Sequence, residues 1–170
     1  MSVKQRGWRG TPMALVLIAA AAGPGRAQTT SFSGGVSSYS LSGTGTTYVF
    51  AMRFESRLGS YGIVEPGLAF LSYKPVLGGR TNYLLPEISV QGQAYAGPLR
   101  PYVGTGIGFA NVTSGPNFNK LTLHLVAGAR VRLRGTWGLR LEVRDRSIDP
   151  WNGRTTDYTV GISHQTPMGF

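Results

Sequence analysis

The sequence lacks cysteine and contains only seven acidic residues and two histidines among its 170 residues. Without cysteine there is no disulfide framework. The two histidines, His124 and His164, have no other metal-ligating residues grouped with them, so we expect neither a metal site nor another cofactor. Charged residues are also scarce, at 14% of the chain, whereas glycine occurs 25 times. This composition favours β-structure with tight turns.

Long apolar runs are equally scarce, and the clearest one lies near the N-terminus. Three basic residues within the first nine precede an apolar run from Met13 to Ala22, which Gly23-Pro24-Gly25 ends. The run is about ten residues long, whereas a helix needs roughly 20 residues to cross a bilayer. The pattern is typical of a Sec-type signal peptide cut after Ala27. We therefore predict an exported protein with a signal peptide at 1–27 and one domain at 28–170.

The most informative pattern that is present is an alternation between Leu121 and Arg134. Every odd position from Leu121 to Leu133 is apolar, whereas the even positions are polar, small or basic, apart from Val126. Successive side chains of a strand point to opposite faces, so this segment predicts a strand with one apolar and one polar face. A soluble sheet and a membrane barrel both produce this pattern, with opposite faces turned to water.

Similar alternating segments recur along the chain and are separated by turn residues. The connectors are rich in Gly, Pro, Asn, Asp and Ser, as in Ser42-Gly-Thr-Gly45 and Asp149-Pro-Trp-Asn-Gly153. After the first connector, longer and shorter ones alternate, as they do in outer-membrane barrels with long external loops and short periplasmic turns. The predicted strands are at about 31–41, 46–58, 62–74, 83–96, 99–112, 119–134, 137–148 and 155–170.

Two architectures accommodate these strands: a transmembrane barrel and a soluble exported barrel that binds an apolar ligand. Predicted strands of about 11 to 15 residues favour a membrane crossing, because strands of globular sheets usually have about five or six. Aromatic residues near the predicted strand ends fit the girdles of a bilayer interface. These aromatic residues are Tyr48, Phe70, Tyr73, Tyr95, Tyr102, Phe109, Trp137, Trp151, Tyr158 and Phe170. We predict an all-β, eight-stranded, antiparallel up-and-down transmembrane β-barrel.

Three segments make the chain resemble a known family. The strand from Pro101 to Phe109, the strand from Trp137 to Arg144 and the terminal Phe170 are similar to the small eight-stranded outer-membrane β-barrels of the OmpA/OmpX-like group. The resemblance covers residues 28–170 and depends on patterns of hydropathy and glycine. It implies a location in a bacterial outer membrane and recognition of the terminal aromatic, Phe170, by the barrel-assembly machinery.

The polar faces of the strands predict a charged lumen. An eight-stranded barrel is only wide enough for side chains to fill it, so charges inside must pair. If the sixth and seventh strands close over Gly135-Thr136, Arg130 falls opposite or diagonal to Glu142, and Arg132 and Arg144 lie within reach of the same carboxylate. The predicted lumen network consists of Arg53, Glu55, Arg57, Glu65, Glu87, Arg130, Arg132, Arg140, Glu142 and Arg144.

The arginines of this predicted network outnumber its acids. Some of them must therefore lie near water at the barrel ends or share a carboxylate. The sequence leaves two interpretations open, a structural ionic plug and a narrow anion-tolerant pore. Gly104, Gly106 and Gly108 lie on the same inner face and are expected to leave room for long side chains.

The expected partners follow from the connectors and the alternation. Basic residues near the predicted outer surface can meet lipopolysaccharide phosphates, and these residues are Lys74, Arg80, Lys120 and Arg154. We expect no nucleic-acid binding, because the basic residues alternate with lipid-facing apolar residues and no stacking platform accompanies them. A structural or interaction role in a monomer is the expected function.

An enzymatic barrel that acts on lipid A is the catalytic alternative. It needs a nucleophilic serine oriented by a histidine and an acid. His164 is the one histidine on the predicted lipid side, and Thr166 stands where such a serine would be needed, near the periplasmic end. His124 is predicted to lie in the lumen beside Gly106. We therefore expect no catalytic activity.

Overall fold

The computed structural model describes residues 28–41, 43–74, 79–113, 119–149 and 152–166. Within these ranges eight antiparallel strands form one closed barrel, in which each strand pairs with its neighbours in sequence and the first pairs with the last. The strands are β1 (Gln28–Ser40), β2 (Thr44–Leu58), β3 (Gly62–Tyr73), β4 (Thr81–Gln93), β5 (Leu99–Val112), β6 (Asn119–Arg132), β7 (Trp137–Ile148) and β8 (Gly153–Gln165). The described part of the chain contains no helix with the length and hydropathy needed to cross a bilayer.

The predicted fold class is confirmed by this architecture. Wherever the residues are described, the predicted strand ends lie within three residues of the observed ones. The last predicted strand, 155–170, is observed as Gly153–Gln165, and its final residues, 167–170, lie outside the described ranges. The predicted signal peptide, residues 1–27, also lies outside them.

The two faces of the wall differ in polarity, and the apolar face is the outer one. In β6, Leu123 and Leu125 are exposed, whereas Thr122, His124 and Val126 are buried in the lumen. The same alternation runs through the other strands, where large apolar side chains point outward. A soluble barrel for an apolar ligand needs the opposite arrangement, an apolar lining and a polar exterior. The soluble alternative is therefore wrong for this chain.

The two ends of the barrel have different connectors. Three short turns lie at one end, which we call the inner end, and each contains a glycine with positive φ. These glycines are Gly59 (67°), Gly97 (63°) and Gly135 (66°). A side chain at such a φ is strained, so glycine suits the tight reversal of direction. The connectors that follow β1, β3, β5 and β7 lie at the opposite, outer end.

The outward apolar face predicts a strong dependence of stability on depth in the bilayer. Leu125 lies midway along β6 with 64% of its surface exposed, whereas Leu133 follows the same strand at the inner end. We expect Leu125→Arg to lower the free energy of unfolding by about 2–4 kcal/mol, because it places a guanidinium among lipid chains. Urea unfolding in lipid vesicles measures this loss.

Leu133→Arg is the matched control on the same face. Its guanidinium reaches the headgroups and water, so we expect a loss of about 1 kcal/mol or less. Equal losses at the two positions would mean that the middle of β6 is not surrounded by hydrocarbon.

Candidate functional site

The lumen contains a buried network of opposite charges. Among the described residues, five arginines and five carboxylates are buried inside the barrel, and each has at least one ion-pair partner of opposite sign. A charge buried without a partner is strongly destabilising. Equal numbers of buried positive and negative side chains therefore allow a charged lumen inside a closed barrel. The members of this network are Arg53, Arg130, Arg140, Arg144, Arg146, Glu55, Glu65, Glu87, Glu142 and Asp157.

Glu65 of β3 lies at the centre of the network. Arg140 donates to both of its carboxylate oxygens, at 2.6 and 2.9 Å, in the bidentate geometry that favours arginine. Arg144 donates at 3.1 Å and Arg130 at 3.3 Å, and the amide of Gln91 donates at 2.8 Å. The side chain of Glu65 has no exposed surface. Three strands, β4, β6 and β7, are thus joined to β3 through one carboxylate.

Glu87 of β4 holds a second group of donors. It forms ion pairs with Arg53, with Arg144 at 2.7 Å and with Arg146 at 2.9 Å. His124 packs beside this group, and its Nε2 lies 2.9 Å from Ser89 Oγ and 3.1 Å from Arg144 Nη1. His124 is therefore a packed lumen residue, held by its neighbours.

The predicted contact between Arg130 and Glu142 does not form. The register places Arg130 opposite Arg140, which leaves it diagonal to Glu142 as predicted. However, the guanidinium of Arg130 lies over the ring of Tyr102, 3.8 Å from its centroid, and its Nε donates to Glu55 at 2.8 Å. Glu142 instead accepts from the Tyr102 hydroxyl at 2.7 Å and pairs with Arg53, Arg140 and Arg144.

Arg57 and Arg132, two predicted members, lie outside the buried network. Arg132 is exposed near the end of β6, and Arg57 is half-buried near the end of β2. Both line the inner mouth of the lumen. With the five buried carboxylates already matched by five arginines, further guanidiniums are better accommodated near water. This agrees with the expectation that surplus arginines lie at a barrel end.

Arg146 and Asp157 belong to the network but are absent from the predicted one. Arg146 donates to Glu87 at 2.9 Å and forms an ion pair with Asp157, which also accepts from Ser37 at 2.6 Å. The signal for Arg146 was present, because it continues the even-numbered alternation that begins at Arg140. Asp157 likewise occupies an inward position of the alternation in β8.

Gly104, Gly106 and Gly108 lie on the lumen side of β5, where side chains from the adjoining strands fill the space. A Cβ at Gly106 would lie 2.5 Å from His124 Nε2, and one at Gly104 would lie 2.7 Å from Gln91 Cγ. At Gly108 the nearest side-chain atoms belong to β4 and β6, at 2.9 Å. The space left by these glycines is therefore occupied by atoms of the adjacent strands β4 and β6, and not by side chains that reach across the lumen.

An apolar layer lies above the network, at the outer end. Tyr73 stacks on Tyr83 with ring centroids 5.4 Å apart, and Tyr39 meets Tyr73 edge-on at 5.4 Å. We call these three residues the tyrosine cap. Buried aliphatic side chains surround them, including Val49, Leu71, Leu85 and Ile148.

Two aromatic residues that were predicted to lie in the interfacial girdles lie inside the barrel instead. Tyr73 lies in the tyrosine cap and Tyr102 lies in the charged network. Both occupy positions whose parity points inward, and strand parity determines direction more strongly than residue type. Tyr48, Phe70, Tyr95, Phe109, Trp137 and Tyr158 are exposed as expected, whereas Trp151 and Phe170 lie outside the described residues.

The four predicted basic loop residues all lie towards the outer end, but two of them belong to strands. Lys74 and Arg80 are exposed in the connector between β3 and β4. Lys120 is the second residue of β6 and Arg154 is the second residue of β8, so both belong to the barrel wall.

The two strand residues are engaged in ion pairs on the barrel itself. Lys120 donates to Asp149 at 3.0 Å, and Arg154 donates to Asp145 at 2.7 and 2.8 Å. The hydrogen bond from Lys120 lowers the pKa of Asp149. The charges of Lys120 and Arg154 are therefore partly neutralised by the barrel itself.

His124 lies between Ser89, 2.9 Å from its Nε2, and Glu87, 3.8 Å from its Nδ1, and all three residues are buried in the lumen. The ring of His164 lies 4.8 Å from that of Trp137 at the inner end. Within the described ranges, no group of three or more His, Asp or Glu side chains is arranged to hold a metal ion.

The chain has the fold of solved outer-membrane barrels. No family model matches the sequence, and no curated protein matches it. Neisserial surface protein A is 16% identical over 82% of this chain and 97% of its own, with a TM-score of 0.62. The N-terminal β-barrel domain of Pseudomonas aeruginosa OprF is 15% identical over 84% and 99%, with a TM-score of 0.58. Ail, the attachment invasion locus protein of Yersinia pestis, is 13% identical over 84% and 99%, with a TM-score of 0.57.

These likenesses confirm the predicted fold, which is that of small eight-stranded outer-membrane barrels. Likeness at this level of identity shows the fold alone, and it does not separate structural, binding and catalytic roles.

The central position of Glu65 predicts a large effect from removing its charge. Glu65→Gln keeps the shape of the side chain but leaves Arg140 and its neighbours with an uncompensated positive charge. We expect a loss of about 3–5 kcal/mol in the free energy of unfolding. Asp145→Asn, which breaks the exposed pair with Arg154, is the matched control, with an expected loss of about 1 kcal/mol or less. Urea unfolding in vesicles measures both.

A second substitution tests whether the loss is electrostatic. Arg140→Met, added to Glu65→Gln, removes one excess cation from the lumen, so the double variant should recover part of the stability that Glu65→Gln loses. A double variant whose loss equals the sum of the two single losses would show that Glu65 and Arg140 are not coupled.

Proposed function

We propose that this protein is a structural and interaction component of a bacterial outer membrane, a monomeric barrel whose lumen is a plug. The balanced buried network is the observation that carries this proposal. Five buried guanidiniums and five buried carboxylates form ion pairs with one another inside the lumen. A conducting barrel of this kind needs a continuous water-filled path between its ends.

The tyrosine cap adds a second layer to the plug. Tyr39, Tyr73 and Tyr83 are buried together with aliphatic side chains at the outer end, above the network. An ion that crosses the barrel has to displace this apolar layer and then separate several short ion pairs. The narrow anion-tolerant pore is the second candidate, and the surplus arginines at the inner mouth are the observation that favours it.

Location and biogenesis are part of the same proposal. The solved structures that resemble the chain are outer-membrane proteins, which supports an outer-membrane location. Export through the signal peptide at 1–27 and recognition of Phe170 by the barrel-assembly machinery complete the proposal. In this orientation the inner end faces the periplasm.

The outer end is proposed to contact lipopolysaccharide. Lys74 and Arg80 are exposed between β3 and β4, close to where a phosphate-bearing outer leaflet lies in this orientation. Lys120 and Arg154 contribute less, because Asp149 and Asp145 already neutralise them. We propose no catalytic role, since His164 and Thr166 lie at the inner end, away from the leaflet that contains lipopolysaccharide.

Current recordings test the plug directly. The wild-type protein in a planar lipid bilayer should show no resolved current steps, and Tyr83→Ala should also remain silent because the charged network below the cap is intact. An open porin in the same membrane serves as the positive control. Anion-selective steps from the wild-type protein would favour the pore.

Thermal unfolding tests the contact with lipopolysaccharide. A ligand that binds the folded state raises its stability, so vesicles that contain phosphorylated lipopolysaccharide should raise the unfolding temperature above that in vesicles with dephosphorylated lipopolysaccharide. The double variant Lys74→Gln/Arg80→Gln should lose most of this increase, since each cation contributes about 1 kcal/mol near an anionic surface.

Arg134→Gln is the matched control, because it removes an exposed cation from the inner end. An equal loss in Arg134→Gln would indicate a general charge effect. No increase in the wild-type protein would contradict the proposed contact.

A further inference from the structure

The inner mouth of the barrel is a cavity with an unusual concentration of guanidiniums. It has a volume of about 60 Å³ and opens towards the inner end. One water needs at least about 10–15 Å³, so a cavity of this size has room for several water-sized atoms, and a tetrahedral oxyanion has five. Its charged lining consists of Arg57, Arg100, Arg130, Arg132 and Glu55.

The charge of this cavity is not neutralised by the chain around it. Arg100, Arg130 and Arg132 face a single carboxylate, and Glu55 Oε1 already accepts from Arg130 at 2.8 Å and from Arg140 at 3.0 Å. Arg100 and Arg132 form no ion pair within the described part of the chain. The inner mouth is therefore basic, although the network above it is balanced.

The strand register strengthens this positive field. Arg100 lies opposite Arg130 across β5 and β6, and Arg130 lies opposite Arg140 across β6 and β7. Like charges directly opposite each other destabilise a sheet. The carboxylates of the network compensate Arg130 and Arg140, whereas Arg100 is supported only by the ring of Tyr95, at 5.2 Å. An anion between Arg100 and Arg130 would remove this repulsion.

Two buried donors at this mouth have no acceptor. Arg130 Nη1 has no hydrogen-bond partner, although only 9% of the Arg130 side chain is exposed, and Arg100 Nε is likewise buried without a partner. A buried guanidinium N–H without an acceptor is unfavourable. Neither nitrogen opens to the cavity as the side chains stand, so each would meet a bound oxyanion by rotation of its guanidinium, and charge-assisted bonds of this kind are the strong ones.

We propose that the inner mouth is a binding site for one phosphate group, held by Arg100, Arg130 and Arg132, with Arg57 contributing to the field. Gln93, Ser163 and Gln165 line the same cavity and add polar contacts. The charged network closes the lumen above the site, so the anion binds and leaves through the same opening. The site lies at the opposite end from Lys74 and Arg80, so it stands independently of the proposed contact with lipopolysaccharide.

Calorimetric titration of the detergent-folded protein with inorganic phosphate tests the site. We expect saturable binding of one phosphate per barrel, weakened about tenfold by Arg132→Gln and by Arg100→Gln, since each variant removes one charge-assisted contact. Neither arginine has a carboxylate partner to lose, so both variants should fold, which the heat-dependent migration of the barrel in detergent gels verifies. Lys74→Gln removes a cation from the outer end and should leave binding unchanged.

The source of the phosphate is tested with a soluble short-chain phosphatidylglycerol in a parallel titration. Binding of inorganic phosphate identifies a site for a free anion, whereas binding of the lipid alone assigns the phosphate to a headgroup. Binding of neither probe would overturn the proposal, as would equal weakening by Lys74→Gln and Arg132→Gln.

Discussion

Neutralisation of charge inside a closed sheet is the constraint on which this structure depends. Closure of β1 onto β8 encloses every inward side chain in a space without bulk water, where an unpaired charge is strongly destabilising. The barrel meets this constraint with five guanidiniums and five carboxylates at its centre. Glu65, which accepts from three arginines, shows how few carboxylates can serve many donors when the geometry is bidentate or shared.

This constraint also arranges the lumen along its axis. The centre cannot accommodate a surplus charge, so the surplus arginines, Arg57, Arg100 and Arg132, lie at the inner mouth where water is close. The outer end is closed without charge, by the tyrosine cap and its aliphatic neighbours. From the outer end to the inner end, the lining of the lumen therefore changes from apolar, to equal numbers of positive and negative charges, to basic. The excess positive charge lies where water is closest.

The fold could be predicted from the sequence because alternation is a local property of the backbone. The odd and even positions of β6 define its two faces without knowledge of any other strand, and turn residues mark where each strand ends. The partners inside the lumen are not local. Arg130 was expected beside Glu142 from the pairing of adjacent strands, but its long side chain stacks on Tyr102 and reaches Glu55 of β2. Such choices depend on the curvature of the closed barrel, which no single strand encodes.

The same packing restricts where this molecule can act. An eight-stranded barrel is filled by its own side chains, and this filling is the physical basis of the proposed plug. Changes in the centre affect stability first, because each network residue contacts several others. The ends are different, since Lys74 at the outer end and Arg132 at the inner end contribute cations that no described carboxylate pairs with. The two proposed anion contacts therefore lie at the rims of the barrel, and the balanced centre keeps those rims in place.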